Sequence, residues 1–101
     1  LAEAMAAAPF GLGVDLRGNV GGNVWPMFAG LAPLFAPGVL QTWVDRAGDG
    51  RAVELADGAL RHGGRPMPID VASLPMPSAR PQHIALLLGA RTASSGELLA
   101  L

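Results

Sequence analysis

Apolar residues along the chain form two kinds of run, and the runs alternate. Residues 11–16 and 83–88 are short and nearly unbroken in apolar character, with the length of buried strands. After the first, Val24, Met27, Phe28, Leu31, Leu34 and Phe35 recur at the three- and four-residue spacing of one helical face. Asn23 can cap that helix and Pro26 suits its first turn, so the spacing predicts a helix that packs on the strand before it. Pro33 falls inside the pattern. It removes a backbone donor and crowds the preceding turn, so a kink or an early end is expected there.

The remaining segments are organised by their turn residues. Residues 1–8 are Ala-rich and favour a helix, which Pro9 should stop. Residues 39–45 and 51–55 look like strands on either side of Ala47-Gly48-Asp49-Gly50, and a weaker strand at 59–62 follows Asp57-Gly58. This meander is expected to project from the main layer. Between Gly63 and Pro81 five prolines occur with little apolar periodicity, which predicts an extended surface connection. Residues from Ser94 to Leu101 open a final helix. No repeat of solenoid period is present. The order helix, strand, Gly-rich turn, helix, hairpins, strand, helix is that of an α/β layer.

Size and charge narrow the function. A chain of 101 residues, 50% of them apolar, makes one small domain or a piece of one, with a thin core. Seven Arg, no Lys and a net charge of -1 leave no basic stripe for nucleic acid and no polybasic membrane anchor. The apolar runs are too short or too broken to span a bilayer. Leu-Ala-Glu-Ala-Met at the start has no basic region and no long apolar region, so the sequence is expected to begin inside a longer protein. Without Cys there is no disulfide, thiolate nucleophile or Cys-type zinc site, and the chemistry must come from oxygen and nitrogen groups.

Two strand-to-helix junctions can carry such chemistry. Asn19-Val20-Gly21-Gly22 follows the first strand and Thr92-Ala93-Ser94-Ser95-Gly96-Glu97 follows the last. Both lie at carboxyl ends of strands, where open α/β sheets place ligands. Ser94 at a helix start is a candidate nucleophile, with free backbone N–H groups nearby to stabilise an oxyanion. Adjacent glycines at the first junction let backbone N–H groups approach a substrate carbonyl. Ser94-x-x-Glu97 before Leu98-Leu99 is also the pattern of a capping box, and the glycines also suit a simple turn. Asp15 and Arg17 can simply pair with neighbours at the strand end. His62 and His83 have no carboxylate at ligand spacing, so no metal site is predicted and both are expected at the surface or a sheet edge. Trp25, Trp43, Phe28 and Phe35 are expected as core aromatics.

Taken together, the junctions resemble the tail-specific, or C-terminal processing, serine peptidases, a family that includes the photosystem D1-processing peptidase and the tricorn core. Asp15-Leu16-Arg17-Gly18-Asn19-Val20-Gly21-Gly22 is similar to that family's Asp-Leu-Arg-x-Asn-x-Gly-Gly segment, and Thr92-Ala93-Ser94-Ser95-Gly96-Glu97 to its Thr/Ser-Ala-Ser-x-x-Glu segment. The resemblance runs from about Leu12 to Leu101. It implies Ser94 as nucleophile, one glycine of Gly21-Gly22 and the Ser95 N–H as oxyanion donors, and Glu97 as the residue that orients the site or caps its helix. It also implies a partial ClpP/crotonase-like core of ββα units with a projecting hairpin region, a peptide or protein substrate, no cofactor, and a location outside the cytoplasm. Most of the family draws the Ser proton to a Lys after the nucleophile helix, and the tricorn-like branch uses a His before the Asp-Leu-Arg segment. Neither is matched here, so the base is expected in the remainder of the parent chain, or the parent is an inactive relative. No segment resembles the PDZ domain that many members carry. Residues 1–101 alone are therefore expected to hydrolyse peptides slowly or not at all. Two alternatives keep the scaffold: a non-catalytic, retinoid-binding-like protein with Trp25 and Phe28 lining a groove, and a crotonase-like acyl-CoA enzyme, for which no CoA-binding element is evident.

Overall fold

The computed structural model describes residues 1–7, 10–74 and 80–101. Pro9, expected to stop the first helix, and the 75–79 part of the proline-rich connection lie outside these. The elements in chain order are α1 (Ala2–Ala7), β1 (Gly11–Asp15), α2 (Val24–Leu31), β2 (Gly38–Val44), β3 (Gly50–Ala56), β4 (Ala59–His62), β5 (Arg65–Asp70), β6 (His83–Leu87) and α3 (Ser95–Ala100). The chain is thus a mixed α/β structure.

Helix α2 starts and stops where its sequence requires. Asn23 is extended, and its Oδ1 accepts the Trp25 N–H at 3.2 Å, which satisfies one of the donors that every helix start leaves open. At the other end the helix passes at Leu31 into a 3₁₀ turn, Ala32–Leu34, that holds Pro33 in its first residues. The predicted disruption at Pro33 takes that form, since proline fits the start of a new turn where its missing N–H has no partner to lose.

Strands β2, β3, β4 and β5 form an antiparallel sheet in that order. Val53, Leu55 and Leu60 point from it toward Val24, Phe28, Ala29 and Ala32, and Val71 completes the core. Phe28 is 1% exposed and Val53 and Leu60 are fully enclosed; burial of such a side chain stabilises by roughly 1.5–3 kcal/mol. The hairpin region expected to project therefore carries the core, while its distal turn at 45–49 is exposed. Residues 65–70, expected as a surface connection, form edge strand β5. Pro66 and Pro68 are tolerated because an edge strand has one side with no ladder bonds to donate, and Met67 and Ile69 alternate inward between exposed neighbours.

Strands β1 and β6 form a separate parallel pair in register from Gly11↔His83 to Asp15↔Leu87. Parallel strands are normally covered on both faces, yet Ile84, Leu86, Leu87 and Leu88 are each at least 43% exposed. Because the pair is parallel, the carboxyl ends of β1 and β6 lie side by side. The loops that leave them, carrying the two motifs, emerge together.

Candidate functional site

Hydrogen bonds stitch the two loops into one unit. Leu16 donates its N–H to the Leu87 carbonyl at 2.9 Å, which carries the strand pairing one residue further. Thr92 Oγ1 donates to the Leu16 carbonyl at 2.7 Å and accepts the Gly89 N–H at 3.0 Å. Ala93 N–H reaches the Asn19 carbonyl at 3.1 Å, and Ser95 Oγ donates to the Gly22 carbonyl at 2.6 Å. The second loop is packed tightly on the first: a Cβ on Gly96 would lie 2.7 Å from the Asn19 carbonyl oxygen, so only glycine fits there.

Ser94 sits at the tip of this unit in a strained backbone state, φ 54° and ψ −121°. A non-glycine residue in such a region costs on the order of 1–3 kcal/mol and persists only where its surroundings fix it. Here the fixing groups are Asn19, which holds Ala93 from one side, and Glu97, whose Oε2 accepts the Ser94 N–H at 2.8 Å. The capping-box arrangement of Ser94 and Glu97 is present, with the Ser94 side chain at the Glu97 N–H and Glu97 accepting the Ser94 N–H. The first turn is also closed through the Ser94 carbonyl, which accepts from Glu97 N–H at 2.9 Å and Leu98 N–H at 3.1 Å. Ser94 is exposed at the tip of the unit.

The diglycine bend lies against Ser94. A Cβ on Gly21 would stand 3.3 Å from Ser94 Oγ and 2.8 Å from Ser94 Cβ. Gly21 and Gly22 have φ of 106° and 128°, open to glycine and strained for other residues. Gly21 donates its N–H to Asn19 Oδ1 at 3.0 Å. The N–H groups of Gly22 and Ser95 have no acceptor among the described residues. Ser94, Ser95, Glu97, Gly21 and Gly22, singled out in the sequence, thus share one neighbourhood. Sequence reasoning gave no role to Asn19 or Thr92. The available signal was that Asn placed two residues before a glycine readily accepts that residue's N–H in an Asx turn.

Below the bend, Asp15 and Arg17, expected to pair with neighbours at the strand end, pair with each other. Arg17 donates from Nη2 at 2.8 Å, from Nε at 2.9 Å and from its backbone N–H at 3.0 Å. Those side-chain hydrogen bonds hold the Asp15 carboxyl down at about 2 and push the Arg17 guanidinium up. Both side chains are exposed, so the pair shapes the loop more than it stabilises the chain.

Neither histidine is hydrogen-bonded to Ser94. His83 opens β6 at the amino end, four residues from the carboxyl end where the site lies, or about 13 Å along a strand. His62, expected at a surface or edge, instead packs with Trp25 and Trp43 at ring separations of 5.1 and 4.8 Å. Its Nε2 is buried without a partner among the described residues. Phe28 lies in the core. Among the described residues no cluster of three or more His, Asp or Glu could hold a metal ion, and no helix is long and apolar enough to cross a membrane.

The geometry sets Ser94 against the diglycine bend, with the Gly22 and Ser95 N–H groups unpartnered among the described residues. Over 91 residues the chain is 42% identical to a nisin-resistance protein of Lactococcus lactis subsp. lactis, a match covering 90% of this chain and 27% of that protein. The chain thus spans about a quarter of the length of the curated relative it matches. No family model matches the chain. No solved structure matches it either.

Proposed function

We propose that this chain is part of the catalytic domain of a serine peptidase of the tail-specific type, with Ser94 as nucleophile. The observation that carries the reading is the state of the Ser94 side chain: exposed, on a strained turn, and against the Gly21 bend. Strained residues cluster at functional sites because their surroundings hold them ready. A carbonyl carbon brought to Ser94 Oγ would be attacked there, and its oxygen would be met by the Ser95 N–H and a second amide from the diglycine bend. The peptide C–N bond then breaks, the amine leaves with a proton, and water hydrolyses the acyl-enzyme to restore the hydroxyl.

A proton acceptor for Ser94 is assigned to another part of the parent protein, because the chain has no Lys and His83 lies at the far end of its strand. The uncovered apolar face of the β1–β6 pair supports the same view. A larger core of ClpP/crotonase type would cover it, with residues 1–101 as one portion. The test is cleavage of C-terminal peptides, and of nisin on the strength of the relative's name, by the full-length protein and its Ser94→Ala variant. Turnover that Ser94→Ala abolishes is expected, and turnover unaffected by that change overturns the proposal. Residues 1–101 alone should show little or no turnover, since loss of a base costs orders of magnitude in rate.

A further inference from the structure

Beyond the nucleophile, we infer that Asn19 is a positioning residue that selects the Gly22 N–H, and not the Gly21 N–H, as the second oxyanion donor. The inference rests on the peptidase reading of Ser94 and deepens it. Each peptide unit of the bend has one N–H to offer, and a donor already bonded within the protein cannot stabilise a new oxyanion without losing that bond. The Gly21 N–H is taken, at 3.0 Å, by Asn19 Oδ1. At the other end of the bend the Gly22 carbonyl is held by Ser95 Oγ at 2.6 Å. Between these two clamps the Gly21–Gly22 peptide is left with its N–H unpartnered among the described residues.

Asn19 also ties this donor to the nucleophile. Its carbonyl accepts the Ala93 N–H, adjacent to Ser94, at 3.1 Å, while its side chain fixes the bend. One residue therefore sets the bend and the serine in a common frame. Its Nδ2 faces Met27 Sδ at 3.8 Å, a weak contact that leaves Oδ1 directed at the bend. Gly21 itself is needed for space, since its Cα lies too close to Ser94 to carry a side chain, and its amide is spent on the turn. Asn19 touches neither the substrate nor the reacting atoms in this scheme.

The test uses the full-length protein labelled with ¹⁵N-glycine and a peptide aldehyde, which forms a hemiacetal with a nucleophilic serine. In the free protein the Gly21 amide should resist hydrogen exchange and the Gly22 amide should exchange freely. On adduct formation the Gly22 resonance should shift strongly and become protected, with Gly21 little changed. The Asn19→Ala variant should lose about 10- to 100-fold in kcat, somewhat less than deletion of a whole oxyanion donor. Its KM and its affinity for the product peptide should stay within about twofold, because positioning acts on the transition state. A strong shift at Gly21 in place of Gly22, or an Asn19→Ala variant with unchanged kcat, overturns the inference and leaves Ser94 as nucleophile. If the aldehyde forms no adduct at Ser94, the peptidase reading itself fails. The amide measurements need no substitution, so they decide the matter even where Asn19→Ala does not fold.

Discussion

Gly21 and Ser94, 73 positions apart in the chain, lie against each other: a Cβ on Gly21 would lie 2.8 Å from Ser94 Cβ and 3.1 Å from the Ala93 carbonyl oxygen. Real Cβ atoms do not approach so closely, and φ of 106° adds backbone strain to any side chain placed there. Gly21→Ala should therefore destabilise the fold by about 1–3 kcal/mol and displace the serine loop. Urea denaturation checks the first effect and active-site labelling of Ser94 the second. Stability and labelling both equal to the unsubstituted protein would show that the two loops are not in contact.

The core makes a separate prediction. Phe28 on α2 is 1% exposed and packs against Phe35 and the inner face of the antiparallel sheet. Phe28→Ala should cost about 3–5 kcal/mol, combining lost transfer energy with an unfilled cavity. Chain stability in urea reads this directly. A loss below about 1 kcal/mol would mean that α2 does not dock on β3 and β4.

How much of this was legible in the sequence depended on how local the signal was. The Val24–Leu31 helix, its Asn23 cap and its break at Pro33 are set by residues within a turn of each other, and spacing was enough to find them. The strands at β1, β3, β4 and β6 carry apolar runs bounded by turn residues and fell within two residues of their expected limits. Strand β5 was hidden because Pro66 and Pro68 argue against a strand unless its place at the sheet edge is known, and edge position is a tertiary property. His62 was misjudged for the same reason, as its ring neighbours come from α2 and β2. At the site, the residue types and their proximity were foreseen. The strained backbone of Ser94, at φ 54°, was not, because it is held by Asn19, which is distant from it in the chain.

Acid stability tests the Asp15–Arg17 pair. The Asp15 carboxyl is lowered from 3.8 to about 2, first by the Arg17 side-chain hydrogen bonds. A folded-state value below the unfolded one means that the unfolded chain binds the proton more readily, so stability falls as the pH falls through that interval. The contribution is complete above about pH 4 and disappears as the pH passes through about 2. The difference in thermal stability between the unsubstituted protein and Asp15→Asn should be constant near neutral pH, close below about pH 4, and shrink in high salt because the pair is exposed. A difference that persists unchanged down to about pH 2 would contradict the ion pair.

Covalent capture of the serine bears most directly on the whole account. Full-length protein treated with a fluorophosphonate and digested for mass spectrometry should carry the adduct on Ser94, with none on Ser95 and none anywhere in Ser94→Ala. A protein that stays unlabelled at Ser94 while folded, or that is labelled only at another serine, would contradict the claim that this hydroxyl is the nucleophile.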